Sequence, residues 1–122
     1  MSHPAHHLGR RAEGATAAWL TSRGWTILDH RWRSPLGELD LVCLDPEATL
    51  VGVEVKLRST GRAGSGAEGV DRRRVGRLRQ ALAGYAASIR HPHRATRLDL
   101  VSLEPDGHGR WRLRLLRGID GW

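Results

Sequence analysis

Two segments, GELDLV (residues 37–42) and VGVEVKLRS (residues 51–59), decide the fold of this chain. Both are rich in apolar residues, and the turn residues Asp45, Pro46 and Glu47 stand between them, so we expect two neighbouring strands. Along the second segment two sets of side chains alternate: Val51, Val53, Val55 and Leu57 against Gly52, Glu54, Lys56 and Arg58. Side chains two apart share a face of a strand, so one face should be buried while the other presents charge.

The rest of the chain supplies helices and strands around these two segments. Apolar spacing predicts a helix over residues 8–23 and a longer one over 70–90, with a stripe formed by Val75, Leu78, Leu82, Tyr85 and Ile89. Strands are expected over residues 25–33, 37–44, 50–58, 97–103 and 111–117. Short turns join the first three strands into an antiparallel meander, and the long helix then crosses over to deliver the fourth into the same sheet. The prediction is an α/β fold with a mixed sheet flanked by helices.

Length and composition place the chain among single-domain globular proteins. It has 122 residues, of which 39% are hydrophobic and 27% are charged, so we expect one domain over residues 1–122. Residues 1–7 are expected to be a mobile tail, and the glycine-rich residues 58–69 a mobile loop. No apolar run approaches the length of a membrane span, and no signal peptide is visible. The single cysteine, Cys43, excludes an internal disulfide and a multi-cysteine zinc site, which together with the rest indicates a cytoplasmic protein.

The charge balance favours a polyanionic partner. Twenty Lys and Arg residues against 13 Asp and Glu residues give a net charge of +7 and a pI near 11.3. A domain this basic often binds nucleic acid, although the charge could also serve solubility alone. The only lysine is Lys56; the other basic residues are all arginine. The ammonium group of a lysine can lose its proton, whereas the guanidinium of an arginine stays charged. The single lysine, which lies in a Glu-x-Lys strand, is therefore a candidate functional residue.

The charged face of the two deciding strands could form a metal site. Asp40 and Glu54 lie on strands that should be neighbours, Glu54 shares a face with Lys56, and Glu38 shares a face with Asp40. Carboxylates that converge in this way can hold Mg²⁺ or Mn²⁺, which lowers the pKa of a bound water and offsets charge on a phosphate. The alternative is that these residues form the solvated side of a half-buried strand, with Asp40 pairing across it.

These linked segments resemble the core motif of the PD-(D/E)XK nuclease superfamily, in which an Asp precedes a Glu-x-Lys on the next strand. More narrowly, the chain is similar to the YraN family, a group of bacterial proteins related to Holliday-junction resolvases. The resemblance extends over LGRRAEGATAAWLTSRGW (residues 8–25), the two strand segments, the following helix and RLDLVSL (residues 97–103). It implies a restriction-endonuclease-like αβββαβ core, which matches the element order read from periodicity.

The resemblance also implies roles for individual residues. Asp40 and Glu54 correspond to the metal-binding carboxylates, Lys56 to the catalytic lysine, and Glu13 to an additional acid near the metal. Glu38 would be a partner of the metal ligands or a salt bridge to an arginine. Asp99 is expected to make a structural hydrogen bond. Arginines in the loop and at the helix start are the candidates for phosphate contacts: Arg58, Arg62, Arg72, Arg73 and Arg77.

The chain also departs from the family pattern, and other residues are weaker candidates. Where the family usually has a lysine after the loop, this chain reads DRRRVGRLRQ (residues 71–80). Gln80 and Tyr85 are spaced one residue too far apart for the Gln-Tyr signature of helicase-linked nucleases, so Tyr85 is read as core. The histidines His3, His6 and His7 could bind a transition metal but more often belong to a tail. Trp32 and Trp111 could stack on bases.

Three functions are therefore open on the sequence. The first is a Mg²⁺- or Mn²⁺-dependent endonuclease that hydrolyses phosphodiesters in branched or structured DNA. The second is a non-catalytic nucleic-acid-binding module on a nuclease scaffold, working with a partner protein. The third is an interaction protein whose charge serves solubility. The resemblance to junction resolvases, which cut two strands symmetrically, further implies a homodimer.

Overall fold

In the computed structural model, residues 4–58 and 71–121 are described, and they form two helices and five strands with a short closing turn. In chain order the elements are α1 (Pro4–Ser22), β1 (Thr26–Ser34), β2 (Gly37–Leu44), β3 (Thr49–Leu57), α2 (Arg72–Ile89), β4 (Ala95–Pro105), β5 (Trp111–Leu116) and a 3-10 turn (Ile119–Gly121). Every predicted helix and strand is present, with β4 longer at both ends than expected.

The five strands form one sheet in which spatial order follows chain order. Strands β1, β2 and β3 are antiparallel neighbours, β4 lies parallel to β3, and β5 returns antiparallel to β4. The parallel pair requires a crossover, which α2 supplies. The prediction of a mixed sheet with αβββαβ order is thus confirmed. Within the described part of the chain, no helix has both the length and the apolar character needed to cross a membrane.

The helices cover opposite faces of the sheet, so the chain has two cores. Ala12, Ala17 and Leu20 of α1 pack on the face that carries Val51 and Val53. On the other face, α2 contributes a larger apolar set, Leu78, Ala81, Leu82 and Tyr85. The alternation predicted for β3 is therefore confirmed, and its charged set lies on the α2 face.

A glycine in β3 makes room for two leucines of the neighbouring strands. A Cβ built on Gly52 would lie 3.1 Å from the Leu98 side chain and 3.2 Å from Leu39. Contacts this short would force those core side chains to move. Gly52 therefore lets Leu39 and Leu98 fill the core beneath α2.

Three details differ from the sequence expectations. Helix α1 begins at Pro4, because the fixed φ of proline suits a first helical turn, and so part of the predicted tail is helical. Ile89, placed on the buried stripe, is 48% exposed because it lies in the last turn of α2, where Arg90 adopts a left-handed conformation. The buried stripe instead includes Ala81. Of the predicted loop at 58–69, all but Arg58 lies outside the described residues, as does His3.

A buried ionic network joins β4 to the turn that follows β2. Arg97 of β4 donates to Asp45 at 3.0 Å and to both carboxylate oxygens of Asp99 at 2.8 and 3.0 Å. Asp45 also accepts the backbone N–H groups of Glu47 and Thr49, and Asp99 accepts that of Gly118. Asp99 is thus structural, as expected. Burial alone would raise the pKa of Asp45, but these donors lower it below its ordinary value.

Removing Arg97 should destabilise the fold strongly. Arg97→Gln leaves two buried carboxylates without their cation, and we expect a loss of about 3–5 kcal/mol in the free energy of unfolding at pH 7, measured by urea titration. The control is Arg33→Gln, since Arg33 pairs with Glu38 where both side chains are more than half exposed, and it should cost less than about 1 kcal/mol. Equal losses in the two variants would contradict a stabilising role for this network.

Candidate functional site

The candidate site lies where β2 separates from β3. The paired positions of these strands run from Leu44↔Leu50 to Leu41↔Val53, and no pairing follows at Asp40. Instead the Asp40 carboxylate accepts the backbone N–H of Val55 at 2.8 Å. The side chain of Asp40 thereby replaces a ladder hydrogen bond, which opens the sheet between the two strands and holds a carboxylate in the opening.

Strand β1, which pairs with β2, has an unusual backbone conformation at the same level. Arg31 lies between the paired positions His30↔Leu41 and Trp32↔Leu39, opposite Asp40, and has a left-handed φ of 51°. A non-glycine residue in this region costs on the order of 1–2 kcal/mol and persists only where its surroundings hold it. Glu13 of α1 holds Arg31 in place, because its Oε1 accepts a hydrogen bond from Arg31 Nε at 2.8 Å.

The side chains of β2 change from one core to the other at this level. Leu39 packs in the α2 core while Leu41 packs in the α1 core, although residues two apart normally share a face. The reversal takes place across Asp40. It turns Asp40 towards Glu54, which comes from the α2 face of β3.

Asp40 and Glu54 form a carboxyl–carboxyl contact. Burial, followed by the hydrogen bond and the charge of Glu54, raises the pKa of Asp40 from 3.8 to about 7, although the Val55 N–H and the positive charge of Arg74 partly oppose the shift. Glu54 is itself buried and accepts Arg74 on Oε2, from Nε at 2.9 Å and Nη2 at 2.8 Å. Asp40 therefore keeps its proton up to near neutral pH, beside a Glu54 carboxyl group that is paired with Arg74.

The other residues predicted for the site are distributed around this pair. Lys56 is partly buried two residues beyond Glu54 on the same strand, and its ammonium forms no ion pair or hydrogen bond with a described residue. Glu13 and Asp40 line a depression of about 160 Å³, together with Glu38 and two arginines. Glu13 is turned to Arg31, and within residues 4–58 and 71–121 no group of three or more His, Cys, Asp or Glu side chains is arranged around a metal position.

Of the predicted phosphate contacts, Arg77 lies near Glu38. Glu38 forms an exposed salt bridge with Arg33 at 3.1 Å, one of the two roles considered for it. It also lines a second depression, of about 110 Å³, with Arg74 and Arg77. Arg72 and Arg73 are exposed at the start of α2, and Arg58 is partly buried at the end of β3. Arg62 lies outside the described residues.

Two residues named on the sequence belong to the core. Cys43 is fully buried, and burial raises the pKa of its thiol to about 12, so it is an inert core residue. Tyr85 is buried, as expected, and donates its hydroxyl to Asp29 at 3.1 Å. Trp32 packs edge-on against Tyr85, with 5.4 Å between the centroids of the two rings.

Sequence reasoning overlooked one residue of the site, Arg74. It is absent from the predicted phosphate contacts, yet among the described arginines at the start of α2 it is the one that bonds to Glu54. The signal was its spacing, because Arg74 lies four residues before Leu78 and seven before Ala81, in line with the buried stripe of α2. Burial alone would lower its pKa, but the charges of Glu54, Asp40 and Glu38 raise it.

The arrangement of these side chains on the sheet identifies the class of fold. Two acids on diverging antiparallel strands, a lysine two residues after the second acid, and a crossover helix form the restriction-endonuclease-like core that the sequence predicted. A family model described as "Uncharacterised protein family UPF0102" matches residues 12–103, which contain all of these groups. The chain belongs to this family, and the resemblance to the YraN family is confirmed.

Relatives from several bacteria support the assignment over most of the chain. A UPF0102 protein of Beutenbergia cavernae is 38% identical over 112 residues, which are 92% of this chain and 94% of that protein. One from Frankia casuarinae is 40% identical over 111 residues, 91% of this chain and 93% of that protein. One from Alcanivorax borkumensis is 40% identical over 101 residues, 80% and 78% of the two chains.

The raised pKa of Asp40 predicts an unusual effect on stability. Between pH 3.8 and about 7 the folded protein holds a proton that the unfolded chain has released, so the stability due to this group falls as pH rises through that interval. Asp40→Asn still accepts the Val55 N–H, and its amide can donate to Glu54. We expect this variant to be about 1–2 kcal/mol more stable than wild type at pH 8 and nearly equal to it at pH 4, by urea unfolding.

Glu38→Gln serves as the control, because it removes an exposed carboxylate that lines the same depression as Asp40. It should show no gain at pH 8. An Asp40→Asn variant that is less stable than wild type at pH 8 would mean that the carboxyl contact is not repulsive.

Proposed function

We propose that this protein is a metal-dependent nuclease that hydrolyses phosphodiester bonds in DNA. The observation that carries the proposal is the contact between Asp40 and Glu54, two acids held together in an opening of the sheet where the fold gains nothing from their mutual repulsion. Acids placed at such a cost are typical of functional sites. The lysine beside them and the arginines around them suit a phosphate substrate.

The donor set fits a hard divalent cation. Asp40 and Glu54 offer carboxylate oxygens, which Mg²⁺ and Mn²⁺ prefer, and Mg²⁺ commonly uses one or two protein carboxylates and completes its shell with water and phosphate. Glu13 could join them as a further acid if it exchanged its bond to Arg31. When bound, the cation would supply a water of lowered pKa and neutralise charge on the phosphate.

Lys56 is the group that this chain contributes to the chemistry. It shares a strand face with Glu54, and its ammonium is free of described partners, so it can donate a hydrogen bond to an attacking water or to a phosphate oxygen. An ammonium fixed there stabilises the negative charge that develops on the phosphate oxygens during in-line attack. Asp40 and Glu54 orient the reacting groups by holding the cation.

The basic start of α2 supports nucleic acid as the substrate. Arg72, Arg73 and Arg77 are exposed in the first turns of α2, and Arg77 lines the same depression as Glu38 and Arg74. Such contacts neutralise phosphates without reading the base sequence. The resemblance to junction resolvases favours branched DNA, and cutting both strands of a junction would require two copies of the chain.

Replacing Lys56 should separate binding from cleavage. Lys56→Ala should lower the cleavage of a four-way DNA junction in Mg²⁺ or Mn²⁺ by at least about 100-fold. Binding of the same junction, measured by fluorescence anisotropy in Ca²⁺, should change by less than about threefold, because the arginines supply most phosphate contacts. Arg94→Ala, at an exposed position before β4, is the control and should leave both properties unchanged. Equal cleavage by Lys56→Ala and wild type would refute the proposed role of Lys56.

One observation favours the alternative of a non-catalytic DNA-binding module. Arg74 already pairs with Glu54, which partly neutralises the acids without a metal. That function predicts DNA affinity that falls steeply with salt, since several phosphates are contacted, and that does not change with divalent metal. Affinity in EDTA equal to that in Ca²⁺, with no cleavage of any junction, would favour the module.

A further inference from the structure

Arg74 occupies one oxygen of the Glu54 carboxylate. Its Nε and Nη2 both contact Glu54 Oε2, at 2.9 and 2.8 Å, while Asp40 contacts the same carboxyl group. A carboxylate oxygen that accepts two donors from a guanidinium has little capacity left for a cation. A cation that uses Oε2 of Glu54 must therefore displace Arg74.

The position of Arg74 makes this contact specific. Arg74 lies in the first turn of α2, where its backbone N–H bonds to the N-cap residue Asp71 at 2.8 Å, and its side chain follows the buried stripe onto the sheet. The nearby Arg72, Arg73 and Arg77 are exposed and have no described bond to Glu54. The side chain of Arg74 is 40% exposed, so its guanidinium can leave Glu54 without unpacking the core.

We propose that Arg74 is an internal counter-cation of the carboxylate pair, which a divalent ion displaces and which then binds a phosphate of the DNA. This inference rests on the proposed function, since it assumes that Asp40 and Glu54 hold a metal. The depression beside Arg74, lined by Gly37, Glu38 and Arg77, gives the displaced side chain a place next to a second arginine. A planar guanidinium fork matches phosphate oxygens, so the released side chain would gain a new partner there.

The exchange couples metal binding to DNA binding. The metal binds only to molecules in which the pair of Arg74 with Glu54 is open. Its apparent affinity is therefore the intrinsic affinity multiplied by the fraction of open molecules. A phosphate that captures the released guanidinium favours the open state, so metal and DNA should each raise the affinity of the other. Without DNA, the protein should bind metal weakly.

The first experiment is a calorimetric titration of Mn²⁺ into wild type, Arg74→Gln and Arg77→Gln at pH 8.5, with folding checked by circular dichroism. Arg77 is the matched control, because it lines the same depression but does not contact Glu54. Arg74→Gln should bind Mn²⁺ about tenfold more tightly than wild type, and Arg77→Gln within about threefold of it. Arg74→Lys, which keeps the charge and loses the fork, should fall between wild type and Arg74→Gln, and it replaces Arg74→Gln if that variant does not fold.

The second readout is duplex DNA affinity, measured in Ca²⁺ and in EDTA. Loss of Arg74 should weaken binding about tenfold in Ca²⁺ and little in EDTA, where the guanidinium stays on Glu54. Equal Mn²⁺ affinity in Arg74→Gln and Arg77→Gln, with wild type binding Mn²⁺, would refute the exchange and leave the proposed nuclease intact. Failure of wild type and of Arg74→Gln to bind Mn²⁺ would remove the proposed function together with the inference.

Discussion

The hydrogen bond from the Val55 N–H to the Asp40 carboxylate is the constraint on which the site depends. A buried backbone donor must be satisfied, and here a side chain does so where the pairing of β2 with β3 stops. The strands can therefore separate without leaving this donor unpaired. The same bond fixes Asp40 in the opening, where Glu54 is its unavoidable neighbour. Sheet geometry thus holds the two acids together, which is why we propose that they bind a cation.

Two clusters of buried charge in this sheet are satisfied differently. In one, Arg97 bonds to both Asp45 and Asp99, and the pKa of Asp45 falls. In the other, Arg74 bonds to Glu54 but not to Asp40, and the pKa of Asp40 rises. The first arrangement stabilises the fold, whereas a strongly perturbed acid such as Asp40 is typical of functional sites. This contrast is the reason for proposing Asp40 and Glu54, and not Asp45 and Asp99, as functional acids.

Period-two alternation was sufficient to predict most of the sheet and the adjacency of Asp40 and Glu54. The short turn at Asp45 sets the register of β2 on β3, and the apolar stripe from Leu78 to Tyr85 places α2 on the face of Glu54. The end of strand pairing at Asp40 was not predictable, because nothing in GELDLV marks where the pairing of β2 with β3 stops. The pairing of Glu13 with Arg31 depends on a left-handed φ that the residue type does not suggest. Arg74 was overlooked because charge was counted without regard to helical phase.

The central claim is that the carboxylates of Asp40 and Glu54 form a metal centre. Calorimetric titration of Mn²⁺ into wild type and Asp40→Asn tests it without knowledge of the DNA substrate, since the variant keeps the Val55 hydrogen bond and loses only charge. The account predicts saturable binding to wild type below about 10 mM and none to Asp40→Asn. Folded wild type that binds no Mn²⁺, with or without duplex DNA, or Asp40→Asn that binds it equally well, would contradict the account.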